Sequence, residues 1–192
     1  MDLRQWIHAQ HDDLGSLVER TILNSTPRDL LHVRPDGMGN SIIWLLWHVA
    51  RVEDVAINTI VRGVAQVLIE GDWQKHLGLA DHRIGTGFDE TEVEELSRVV
   101  AIDEVQAYWK TVRTETSRGL AEVRLETLDA VPDLDARLGA IPPIVPERAR
   151  WLLDFWRGRT AGFFVRLPAL DHGYLHLGEM LAIRGRLGIP GR

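Results

Sequence analysis

Residues 42–69 form the longest apolar-rich run in the chain, and His48, Arg51, Glu53, Asp54, Asn58, Arg62 and Gln66 interrupt it at intervals. A run this apolar has to be buried, yet its charges exclude a helix that spans lipid. The arrangement that satisfies both demands is a helix wrapped by the other helices of a bundle. Asn40 and Ser41 lie just ahead of it as capping residues, so the pattern predicts one long helix from there to about Ile69. Trp44, Leu45, His48, Val52 and Val55 share its core face, which sets a histidine in an apolar stripe. An imidazole in that position needs a hydrogen bond, an ion pair or a metal ion.

Other segments repeat the helical period. Leu3, Trp6, Ile7, Leu14, Leu17, Val18 and Leu23 predict a first helix over 2–23, stopped near Asn24 to Pro27, with loop following through Pro35, Gly37 and Gly39. Residues 71–87 are rich in glycine and polar side chains, contain His76 and His82, and read as an irregular connection. A short helical piece, TEVEEL, precedes a third long helix over about 103–128, weakened in its middle by Gly119. Regular structure should lapse over 129–146, where Pro132, Gly139, Pro142, Pro143 and Pro146 cluster. A short helix over 147–157 is expected next, with Trp151, Leu152, Phe155 and Trp156 as its apolar face. Thr160 then caps a last helix ending near Gly188, with Pro168 kinking it. Little in the chain alternates with strand period. The expected fold is all-α, an up-down four-helix bundle over 1–192 with long irregular connections and a short extra helix before the last one.

A formal charge of −6 argues against a nucleic-acid surface, and the N-terminus has no signal-peptide pattern, so a cytoplasmic protein away from membranes is expected. There is no cysteine. Disulfides, thiolate metal sites and cysteine nucleophiles are thereby excluded, and histidine and carboxylate are left as strong ligands.

His172 and His176 are four residues apart in LDHGYLHLGEMLAIR, which stacks both rings on one helical face a turn apart, as two ligands of one metal ion require. Eight histidines would supply roughly 0.3 such pairs by chance, so the pair alone decides little. His48 on another core-facing helix could complete a site in the bundle interior. His8 and His11, three apart on the first helix, form a rival pair that reads as mostly surface. Glu179 shares the face of His176 and can orient an imidazole, accept a proton, or simply be a solvated helix carboxylate. Arg51 can steer an anionic substrate or pair with neighbours such as Glu53 and Asp54. Trp44 and Trp47 can wall a pocket or fill core.

NSIIWLLWHVARVED and, far downstream, DHGYLHLGEM resemble the DinB-like superfamily, which includes YfiT-type proteins, and the resemblance runs from the first helix to the last. It implies a four-helix bundle, often dimeric, with His48, His172 and His176 as a three-histidine metal site. The 129–146 segment falls outside the resemblance as an insertion. Three imidazoles suit zinc or nickel, and also iron, with a position left open. Some relatives use small thiols such as bacillithiol or mycothiol in transfer or isomerisation, and others resemble metal-dependent hydrolases. The resemblance therefore implies a small-molecule substrate, a divalent ion and, in the thiol version, a low-molecular-weight thiol as co-substrate. A non-catalytic metal-binding bundle is the third alternative.

Overall fold

The computed structural model describes residues 1–190. Helix α1 spans Leu3–Val18 and runs on through a wider π turn, Glu19–Leu23. Asp2 starts it with a reciprocal cap, accepting from the Gln5 N–H while the Gln5 side chain accepts from its own N–H. Helix α2 spans Ile42–Asp54 and continues as a π turn over Val55–Arg62. Ser41 caps it, its hydroxyl accepting from the Trp44 N–H at 3.1 Å. Helices α3 (Glu90–Val99) and α4 (Ile102–Glu122) follow. A short α5 (Trp151–Trp156) precedes α6 (Ala161–Arg166), a buried π turn over Leu167–Asp171, and α7 (His172–Arg186).

Every residue of α2 is buried, not only one stripe, because α4 and the α6–α7 arm cover its sides. Its polar side chains must therefore find partners inside the protein. Asp54 accepts from the Val67 and Leu68 N–H groups, the Asn58 amide and the Tyr108 hydroxyl, all at 2.8–3.0 Å. Glu53 lies 2.9 Å from the Arg113 guanidinium and 3.1 Å from His11. The second helix stops at Arg62, short of Ile69, since Gly63 adopts a left-handed conformation (φ 67°) and its successor donates back to the Asn58 carbonyl. The chain then folds over so that Asp54 holds the first N–H groups of the short helix Val67–Glu70.

The 63–101 connection carries the chain back along α2 before α4 begins. Thus α4 runs parallel to α2, with Arg51 beside Tyr108 and Arg62 beside Glu122, and strict up-down alternation does not extend through the third helix. By the same reading α7 runs parallel to α1, with Tyr174 on Gln10 and Arg184 on Thr21. Helix α4 ends at Glu122 instead of near Leu128, where the Arg4 guanidinium takes up the carbonyls of Ala121 and Val123. Gly119 has a packing reason: the Arg62 side chain lies across it, where a Cβ would come within 2.6 Å of Cδ. Over 129–146 a short helix, Leu134–Gly139, capped by Asp133, interrupts the expected irregular stretch. On α5 only Leu152 and Trp156 turn inward, while Trp151 and Phe155 are exposed.

Thr160 caps α6 as the sequence implies, and Pro168 falls in the π turn, where its missing N–H is accommodated without ending the helix. That turn delivers His172 to the start of α7. Among the described residues, no helix is long and apolar enough to cross a membrane.

Candidate metal centre

Three imidazoles meet where α2 and α7 cross. His172 Nε2 lies 3.2 Å from His48 Nε2 and 3.1 Å from His176 Nε2. The close approach of α7 to α1 that allows this depends on Gly173, where a Cβ would come 2.5 Å from Leu14 Cδ2.

The outward nitrogens fix what the inward ones can be. His48 Nδ1 faces the Ile84 carbonyl, which can only accept, so Nδ1 carries the proton and Nε2 presents a lone pair to the centre. His176 Nδ1 lies 2.8 Å from Glu179 Oε2, and Glu179 Oε1 accepts from the Asn40 amide at 2.8 Å. The carboxylate thus gives His176 the same tautomer as His48. His172 Nδ1 is buried and has no partner among the described residues.

Charge is also excluded from this cluster. Burial, and then the neighbouring His176, lowers the His48 pKa from 6.5 to about 3. Burial followed by His48 and His176 lowers that of His172 to about 2. His48 and His176 turn lone pairs toward the centre, and His172 places its Nε2 3.2 Å and 3.1 Å from theirs, so a cation there would take all three nitrogens as donors. The donor set therefore fits a divalent metal ion. The hydrogen bond from His176 holds the Glu179 pKa below the usual range, with Asn40 assisting against partial burial.

The expected neighbours are distributed unequally. Trp44 stacks on His48, with ring centroids 4.9 Å apart and planes 22° apart. Trp47 packs against Trp44 and lines a cavity of about 220 Å³ with Leu79, Arg83 and Phe88, on residues that do not include the histidines. Arg51 is fully buried and bonds to Asp54, Tyr108 and the His82 carbonyl, so its charge is taken up in the core. His11 corrects the expectation of a surface pair: it is 2% exposed and bonded to Glu53, because α1 packs it over α2.

Sequence reasoning missed Ile84, Gly85 and Asn40. Asn40 reads as a cap, but Ser41 has that role and frees Asn40 for Glu179. Gly85 adopts φ 93° and lies against Trp44, Trp47 and His48. The only available signal was the glycine spacing in IGTGF, which marks a turn without showing what it touches.

The family model of the DinB superfamily matches residues 7–180. The chain belongs to the DinB superfamily. The matched stretch of this DinB-superfamily chain contains all three histidines, Asn40 and Glu179. A crystal structure described as that of a conserved protein from Enterococcus faecalis superposes with a TM-score of 0.69 at 20% identity, covering 98% of this chain and 99% of that one. At that identity the likeness establishes the shared fold alone. No curated protein sequence matches the chain.

Proposed function

We propose that this DinB-superfamily protein is a metal-dependent transferase in which His48, His172 and His176 hold a divalent ion that activates a low-molecular-weight thiol toward an electrophilic small molecule. The observation that supports the reading is the convergence of three imidazole nitrogens, two of them on rings held neutral, at a site reached from the side of His176, whose side chain is 20% exposed. Three neutral imidazoles would leave a bound divalent ion its full charge, and such an ion would supply Lewis-acid activation of a thiol at neutral pH. An all-imidazole donor set favours zinc or nickel, with iron also accommodated.

The protein's own residues have separable tasks. His48 and His172 stay unprotonated and available as ligands well below neutrality. Trp44 covers one face of His48 and limits rotation of its ring. Glu179 has both oxygens engaged and a lowered pKa, which suits it to orienting His176 and makes it a poor proton acceptor. In the transfer, a bond forms from sulfur to the electrophilic carbon, the leaving group departs with its electron pair, and the thiol proton passes to solvent. The reading includes the cytoplasmic setting expected from the sequence pattern and the homodimer that the family resemblance implies.

The test is consumption of small electrophiles by zinc-loaded or nickel-loaded protein, with and without an added thiol. Turnover that requires both metal and thiol is expected. No rate gain with any thiol removes the transferase reading, and consumption with water alone replaces it with a hydrolase.

A further inference from the structure

His48 is steered by a carbonyl from the 71–88 connection, and that connection is held from outside. Ile84 is fully buried in a core shared with Val52, Val55, Ile144, Val145 and Ala149. Its N–H donates to the Ile144 carbonyl at 2.9 Å, while its own carbonyl faces His48 Nδ1. One residue therefore links the proline-rich segment to a metal ligand. A second tie lies three residues on. Gly87 (φ 80°) is so close to Ala149 that a Cβ would approach the Ala149 Cβ within 2.4 Å, and its carbonyl accepts from Arg148 Nε at 2.5 Å. Arg148 also pairs with Glu92 and Asp89, beside the start of α3.

Between the two ties lies Gly85. A Cβ there would meet Trp47 Cζ3 at 2.8 Å, Trp44 Cζ2 at 2.9 Å and His48 Nδ1 at 3.0 Å. The loop backbone is thus pressed against the ligand ring and its stacking partner, with no room for a side chain.

We propose that residues 142–149 act as a strap that sets the position of the metal ligand His48 through Ile84 and Gly85. The proposal rests on the metal reading of the triad and is independent of the thiol chemistry. Loops are ordinarily among the least stable parts of a fold, and a carbonyl carried by one would orient an imidazole poorly. Pro142, Pro143 and Pro146 restrict the backbone of the strap, and the two ties transmit that restriction to the loop. Ile84 and Gly85 are positioning residues in this scheme. Outer hydrogen bonds of this kind typically change metal affinity by about 10–100-fold.

Cobalt(II) is the probe, because its visible absorption reports the ligand geometry as well as the affinity. The variants are Gly85→Ala at the contact, Gly87→Ala and Arg148→Ala at the outer tie, and Val131→Ala as a control on an exposed side chain of the neighbouring 123–133 stretch. Gly85→Ala should weaken cobalt binding about tenfold or more and alter its visible bands. Gly87→Ala should do so by about tenfold and Arg148→Ala by a few-fold, with Val131→Ala unchanged. Arg148 is half exposed, so its variant keeps the proposal testable if either glycine variant fails to fold. Wild-type affinity and spectrum in Arg148→Ala and in whichever glycine variants fold, even with a lower melting temperature, would overturn the strap and leave the metal site standing. Wild-type protein that binds no cobalt would overturn the metal reading, and the strap with it.

Discussion

Replacing Glu179 with alanine should weaken metal binding about tenfold while leaving the fold intact. Its Oε2 receives the His176 Nδ1–H at 2.8 Å and its Oε1 the Asn40 amide at 2.8 Å, so one side chain sets both the tautomer and the angle of a ligand. A hydrogen bond to a charged group contributes about 1.5–3 kcal/mol where solvent is excluded. Glu179 is 37% exposed, and solvent screening brings its contribution just below that range, to about 1.4 kcal/mol. That corresponds to about a factor of ten in Kd. Glu179→Gln keeps an acceptor without the charge and should fall between alanine and wild type. Zinc titration in competition with a chromophoric chelator measures the affinity, and circular dichroism of the metal-free proteins checks the fold. Wild-type affinity in Glu179→Ala would refute the role assigned to this carboxylate.

Two predictions concern the charges buried on α2. Burial by itself would raise the Glu53 pKa, but Arg113 and the His11 hydrogen bond outweigh it and lower the value from 4.5 to about 2. Because the folded value lies below the unfolded one, the stabilisation is present above about pH 4.5 and is lost as pH falls toward 2; it is on the order of 3 kcal/mol. Urea titrations of Glu53→Gln should show a loss of that size at neutral pH and a flatter acid limb, and an acid limb as steep as wild type would count against the pairing. Asp54→Asn turns an NH₂ group toward donors that now point at a carboxylate and should cost about 3 kcal/mol. A midpoint within experimental error of wild type would show that these bonds contribute little.

Local signals made part of this protein legible in its sequence. Ser41 and Thr160 announce helix starts through their own side chains, and the spacing of His172 and His176 is itself the geometry of a shared ligand face. His48 could be joined to them because a histidine in an apolar helix needs a partner. What stayed hidden depended on long-range packing. Helix α2 follows the amphipathic pattern only loosely because it is covered on all sides; the pairing of Arg51 with a near neighbour, Asp54, was legible, whereas the Arg113 partner of Glu53 comes from a distant helix and was not. His11 was hidden for the same reason. The direction of α4 is set by how an irregular connection travels, and no periodicity encodes that. Ile84 acts through its backbone carbonyl, which every residue possesses, so no residue type marks it.

The proposed chemistry stands on three histidines from α2 and α7 holding one metal ion. The decisive measurement is metal analysis of wild-type protein beside His48→Ala and His172→Ala, each purified in the same way and dialysed against zinc. The structure predicts about one ion per chain in wild type and under about one tenth of that in either variant. Undiminished metal in both variants would contradict it.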